Sequence, residues 1–163
     1  MANLKEIRTR IYSVESTMQI TSAMKMVSAA KLKRAQNMII QLRPYANKLT
    51  EMIINLSSSL NQSDGGKFLQ EREINNVLFV TITSNRGLCG GFNANIIKSI
   101  TALLRNSYKN CEPSILSIGK KSSEYFSKNG YNVVGTYDNL YNEITFDAVS
   151  KIAENIMNDF TER

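Results

Sequence analysis

An unbroken three-four repeat of apolar residues runs through the first sixty positions, and it constrains this chain more than any other feature. Stepping alternately by three and four gives Leu4, Ile7, Ile11, Val14, Met18, Thr21, Lys25, Ser28, Leu32, Ala35, Ile39, Leu42, Ala46, Leu49, Ile53, Leu56 and Leu60. Fourteen of these seventeen are apolar, and the phase holds over eight heptads. Such a repeat belongs to a supercoiled helix that faces a partner along its whole length. Residues 2–60 hold no glycine and one proline, Pro44, which falls at the f position opposite the seam. A proline there removes one backbone bond and bends the helix on its outer face, so a kink near Ile40 is expected rather than an end. At 1.5 Å per residue a helix over 1–60 is about 90 Å long. A single helix of this kind gains its stability from packing against another helix. No second long heptad segment follows in these 163 residues.

The three polar seam positions, Thr21, Lys25 and Ser28, are consecutive. A lysine at a core position is costly unless exposed or paired. Met24, Met26 and Val27 lie off the seam around it, so the apolar surface here shifts to another face. One reading is a locally loosened coiled coil; the other is a waist where the helix leaves its coil partner and meets a different protein. Charge bears on the choice. The first sixty residues carry nine basic and three acidic side chains, a balance of +6, while the remaining eleven of each sign cancel. All the excess positive charge sits on the helix, which is where an acidic partner is to be sought. Nucleic acid fits poorly, because the basic residues lack an aromatic stacking platform.

Other features narrow the class. A composition of 42% hydrophobic and 21% charged residues suits a folded chain. With Cys89 and Cys111 as the only cysteines and no histidine, the usual clustered zinc site is excluded and reduced thiols are the simpler reading. The N-terminus lacks the apolar core of a secretory signal, and no stretch reaches the roughly 18 apolar residues of a membrane span.

After a turn and linker over 61–74, marked by Ser63-Asp64-Gly65-Gly66, the pattern alternates. Residues 75–83 predict a buried strand, 114–119 a second and 131–137 a third. Between them lie helical patterns, one after Asn93 and one over 120–129 with Tyr125 and Phe126 as inward candidates and Gly130 as its stop. A last helix begins near Thr145 or Asp147, either of which could cap it. Strands alternating with helices imply a small parallel sheet with right-handed crossovers in an α/β domain over 75–163. The last helix is expected to lead into another strand, so the domain reads as truncated.

The glycine loop after the first strand invites a phosphate-binding reading. Its spacing is Gly87-x-x-Gly90-Gly91, which matches neither G-x-G-x-x-G nor G-x-x-x-x-G-K-[ST], and no acidic residue follows near 107–111 to hold a ribose. The structural reading is stronger: Arg86, Gly87, Cys89, Gly90 and Gly91 form a loop whose glycines permit a tight turn and close helix–strand contact. Cys89, beside Arg86 at a helix N-terminus, would suit a reactive thiol, but a small packed cysteine is the simpler expectation. Asn85 or Asn93 would satisfy loop backbone groups. No triad, metal cluster or carboxylate pair appears, so no catalytic, cofactor or metal residues are expected.

Two long stretches carry a resemblance. Residues 19–32, Gln19-Ile20-Thr21-Ser22-Ala23-Met24-Lys25-Met26-Val27-Ser28-Ala29-Ala30-Lys31-Leu32, follow Lys5-Glu6-Ile7-Arg8 and precede Arg43-Pro44-Tyr45-Ala46. Together they resemble the amino-terminal helix of the ATP synthase gamma subunit family. Residues 84–93, from Ser84 to Asn93, resemble the loop after the first strand of that family's α/β domain. The resemblance implies an antiparallel coil of N- and C-terminal helices with a Rossmann-like, three-layer foot between them. It implies a non-catalytic rotor role in proton-transporting ATP synthesis, with no cofactor of its own. The implied partners are the alpha and beta subunits of the catalytic ring, the epsilon subunit and the c-subunit ring. Arg8, Met24, Lys25, Met26, Lys31, Lys33 and Arg34 become the expected contacts to the ring, the lysines through charge and the methionines through adaptable apolar contact. The implied location is the cytoplasmic side of a bacterial cell membrane, held there through partners and peripheral to the bilayer. The family's final strands and C-terminal helix are absent, and self-association of the isolated chain is expected. The alternatives from the residues themselves are a nucleotide-binding α/β module with a dimerising coiled-coil arm, and a coiled-coil adaptor.

Overall fold

The structure, a computed structural model, describes residues 3–59, 68, 73–142 and 144–162. The expected turn at Ser63–Gly66 and most of the 61–74 linker lie outside them. The chain divides into two compact units, Met1–Asp64 and Gly65–Arg163.

The first unit is one helix, α1 (Leu4–Ser59, 56 residues). Asn3 starts it as an N-cap, its Oδ1 accepting from the Lys5 amide at 3.3 Å. Good helix formers and the absence of glycine carry it forward, and it runs through Pro44 without ending there. None of its residues is buried. The hydroxyls along it turn back on the helix: Thr17 donates to the Ser13 carbonyl at 2.8 Å, Thr21 to that of Thr17 at 3.0 Å, and Ser28 to that of Met24 at 2.9 Å.

The second unit is a small α/β layer structure. Its elements are β1 (Asn76–Ile82), α2 (Phe92–Asn106), β2 (Glu112–Ile118), α3 (Lys120–Lys128), β3 (Val133–Thr136), a 3₁₀ turn (Leu140–Asn142) and α4 (Phe146–Glu162). The three strands are parallel in the order β1-β2-β3. Asn76 lies opposite Glu112 and Ile82 opposite Ile118, while a bulge between Ile115 and Leu116 shifts the register to β3. The predicted strands and helices are all present, with ends moved by one or two residues.

The central strand holds the core. Ile115 and Ser117 are wholly buried and Leu116 nearly so. Consecutive strand residues point to opposite faces, so both faces of β2 are covered. On the Ser117 face, Thr81 of β1 donates to Ser117 Oγ at 3.3 Å, and Thr83 to Ser122 Oγ of α3 at 3.0 Å. Phe126 of α3 is fully buried, edge-on to both Tyr125 and Tyr131 at 5.3 Å. On the other face, α4 brings Asn155, Asn158 and Asp159 beside Leu116 and Gly135, and buries Ile152. The sheet is thus sandwiched between helices, as the α/β reading expects.

Helix ends follow their local chemistry. Gly130 (φ 75) ends α3 as expected, with the Tyr131 amide bonded to the Phe126 carbonyl at 3.1 Å and the Gly130 amide to that of Ser127 at 3.3 Å. This is a Schellman closure, and the Phe126–Tyr131 ring contact seals it. Of the two candidate caps on α4, Thr145 takes the role: its Oγ1 accepts from the Ala148 amide at 3.3 Å. Gly119, expected inside the second strand, instead lies past its end as the N-cap of α3, at φ 107. A Cβ there would stand 1.9 Å from the Thr83 carbonyl oxygen, so the chains cross at this point only because the residue is glycine.

Candidate functional site

Two surfaces were singled out from the sequence: the charged waist of α1 and the glycine loop after β1. On α1, Met24 and Met26 are 64% and 70% exposed. Arg8, Lys25, Lys31, Lys33 and Arg34 are likewise exposed. Among the described residues, the salt bridge on α1 is Lys48–Glu51 at 2.9 Å, far along the chain from the waist. The waist cations therefore stand in no ion pair among the described residues. The helical repeat spreads them around the rod: Lys25 lies on the seam, Lys31 beside it, and Lys33 and Arg34 toward the outer face. Arg8 sits more than four turns nearer the N-terminus, so it does not join the same cluster.

The glycine loop is built by hydrogen bonds from two asparagines, and both candidates act. Asn93, in the first turn of α2, accepts the Ser84 amide at 3.0 Å and donates to Ser84 Oγ at 2.8 Å. Asn85 accepts the Lys120 amide at 2.9 Å and donates to the Asp138 carbonyl. One side chain thereby ties together the loops that follow all three strands. Tyr141 adds a second tie, donating to the Thr83 carbonyl at 2.9 Å, and burial raises its pKa. Ser123 of α3 donates to the Asp138 carboxylate at 3.2 Å.

These bonds bear directly on phosphate chemistry. In an open parallel sheet, a ligand sits beyond the carboxyl ends of the strands, often on free amides at a helix start. At the start of α3 those amides are taken: Lys120 by Asn85 Oδ1, Lys121 by the Ser84 carbonyl at 3.3 Å, and Ser122 by Thr83 Oγ1 at 3.0 Å. The neighbouring groove past β3 is lined by Thr136, Tyr137, Asp138, Asn139, Leu140, Ala148 and Ile152, with a carboxylate and no cation. Neither feature favours an anion.

Two expectations about the loop require correction. Cys89 is exposed rather than packed; its Sγ accepts a bond from Asn93 Nδ2 at 3.2 Å. The glycines do not mediate close helix–strand contact either. A Cβ at Gly87 or Gly90 would meet nothing within 4 Å, and at Gly91 it would meet only the Asn95 side chain. Gly90 is needed instead for its left-handed backbone, φ 60. The close approach belongs to Gly119, for which the Gly-Lys-Lys run after an apolar strand was the available signal.

Sequence reasoning also missed Leu88. It is the one non-glycine with positive φ among the described residues, at 63°, and its side chain is wholly exposed. A left-handed leucine costs about 1–2 kcal/mol, and here no burial offsets it. Arg86 and Gly87 stand exposed beside it. No group of three or more His, Cys, Asp or Glu capable of holding a metal occurs among the described residues. Nor is any helix among them long and apolar enough to cross a membrane.

The family model described as ATP synthase matches residues 3–163. The ATP synthase gamma chain of Flavobacterium psychrophilum is 52% identical over 160 residues, covering 98% of this chain and 55% of that protein. The gamma chain of Christiangramia forsetii is 48% identical over 162 residues (99% of this chain, 56% of the relative). That of Chloroherpeton thalassium is 45% identical over 158 residues (94% and 52%). The chain spans about half the length of the curated relatives it matches. With a family model spanning nearly every residue and relatives at about half identity, this chain belongs to the ATP synthase gamma chain family.

Proposed function

We propose that this chain is the shaft and foot of a central rotor stalk, a non-catalytic part of a proton-transporting ATP synthase that couples ion-driven rotation to ATP synthesis on a ring of alpha and beta subunits. Residues 1–60 act as the shaft, 61–74 as a linker and 75–163 as the foot. The observation that carries this reading is α1, 56 residues long with none buried and with the chain's whole surplus of positive charge. A rod so exposed exists to be surrounded by other proteins. In that role Lys25, Lys31, Lys33 and Arg34 steer toward acidic segments of the ring, while Met24 and Met26 supply apolar contact that tolerates sliding. Many weak contacts suit a rotor better than one strong one, which would arrest it at a single angle. Arg86, Gly87 and the exposed Leu88 offer a further partner-facing tip, the outward leucine being unexplained by packing. The foot meets the epsilon subunit and the c-subunit ring, which places the chain at the cell membrane through partners, on its cytoplasmic side. The glycine spacing, which matches neither phosphate-loop pattern, counts against the nucleotide-binding alternative.

The test is co-expression with alpha and beta subunits. The chain is expected to co-purify with them at low salt and to be released as salt rises, since exposed charge contacts are screened. Replacing Lys25, Lys31 and Lys33 together by Glu is expected to abolish retention. A chain that emerges free at low salt, or a triple variant retained like the parent, overturns the assignment.

A further inference from the structure

We infer that Asn129–Gly130, at the C-terminal end of α3, is a modification site: the asparagine converts to aspartate and isoaspartate through a succinimide, and opening of the helix cap sets the rate. It is the one Asn-Gly pair in the sequence. Glycine after asparagine favours this reaction because no side chain shields the attacking backbone nitrogen. The Gly130 nitrogen loses its proton to solvent and bonds to the side-chain carbonyl carbon of Asn129. The bond from that carbon to Nδ2 breaks, and ammonia leaves with a proton returned by solvent. Water then opens the ring at either carbonyl, giving the two products.

The site is accessible but latched. Asn129 and Gly130 are exposed, and a Cβ at Gly130 would meet nothing within 4 Å, so the ring has room to form. Ring closure needs the Gly130 nitrogen turned toward the Asn129 side chain about the Cα–C bond, and the observed ψ of 13 does not give that. Hydrogen bonds hold the unreactive geometry: Asn129 Nδ2 donates to the Tyr125 carbonyl at 2.7 Å, the Gly130 amide to that of Ser127 at 3.3 Å, and the Tyr131 amide to that of Phe126 at 3.1 Å. All of them close the last turn of a nine-residue helix, where fraying costs least. Reaction therefore follows local opening of the cap, not unfolding of the whole unit. The products do not restore the cap. Isoaspartate adds a backbone atom inside the turn that joins Phe126 to Tyr131. Either product also puts a negative charge at a helix C-terminus, which the dipole disfavours. Phe126, wholly buried, then loses the closure that holds Tyr131 against it.

The test incubates the unaltered chain at mildly alkaline pH, digests samples in acid to halt the reaction, and follows the peptide containing Asn129 by mass spectrometry. That peptide is expected to gain the mass of an amide turned acid, about ten- to a hundredfold more slowly than in the urea-unfolded chain, since the cap's hydrogen bonds each contribute modestly. Below the unfolding transition the rate is expected to stay level as urea is added, because cap opening exposes little surface. The modified fraction, separated by its added negative charge, is expected to unfold at lower urea than the parent. A folded chain with no product at Asn129 over about a hundred half-lives of the unfolded reaction overturns the site. A folded rate equal to the unfolded one, or one that climbs steeply with low urea, overturns the gate. A modified fraction as stable as the parent overturns the consequence for the cap.

Discussion

Gly119 and Asn85 show how single residues hold the α/β unit together. Gly119 needs both its φ of 107 and its missing Cβ, because the Thr83 carbonyl occupies the space a side chain would take. Gly119→Ala is therefore expected to destabilise by about 3 kcal/mol or more, backbone strain and a main-chain clash adding together. Urea unfolding followed by tyrosine fluorescence checks it, and a loss below about 1 kcal/mol would show that the crossing relaxes easily. Gly87→Ala, where a Cβ meets open space, is the matched control and should change little. Asn85 was legible in the sequence only as one of two candidates, because its partners Lys120 and Asp138 are remote along the chain. Asn85→Ala leaves the Lys120 amide without its acceptor and is expected to cost about 1–3 kcal/mol by the same measurement.

At the scale of elements, α1 and α4 differ in where their stability comes from. α4 buries Ile152 against the sheet and is capped by Thr145, both visible as a one-sided apolar pattern behind a threonine. α1 buries nothing within its own unit, so its propensity and its seam must carry it. Pro44 is then a standing cost inside it, of about 3 kcal/mol in a helix interior. Pro44→Ala is expected to raise helix content near residue 40 and to stabilise the helix by up to that amount, read as ellipticity at 222 nm and its thermal midpoint. An unchanged midpoint would mean that the proline costs the helix little at this outer position. The glycine loop was the element least well read. Spacing argued against a phosphate cradle, but it could not show that the amides of α3 were already taken, nor that Leu88 points outward.

For the molecule as a whole, charge and titration set the response to conditions. There is no histidine, so little should titrate on folding between about pH 6 and 8. Outside that range two groups have a defined sign. The hydrogen bond from Lys121, helped by nearby lysine charge, lowers the pKa of Glu124. Its stabilisation is present above the ordinary carboxylate range and is lost as pH falls through the lowered folded value. Tyr141 is raised by burial, so its contribution is complete below the ordinary tyrosine range and is lost as pH rises through the raised folded value. Thermal midpoints are thus expected to be flat near neutrality and to fall on both sides. Tyr141→Phe should flatten part of the alkaline fall; an alkaline limb identical to the parent's would place its origin elsewhere. The sequence by itself determined the rod, the order of strands and helices, the placement of all surplus charge on one segment, and the family. Those properties are local or periodic, and a repeat of three and four or of two is written directly in the chain. Only the tertiary structure decided which asparagine bonds what, which glycine is indispensable, and that Cys89 and Leu88 face outward. The first two depend on residues some 35 to 53 positions away in the sequence that the parallel crossovers bring into contact.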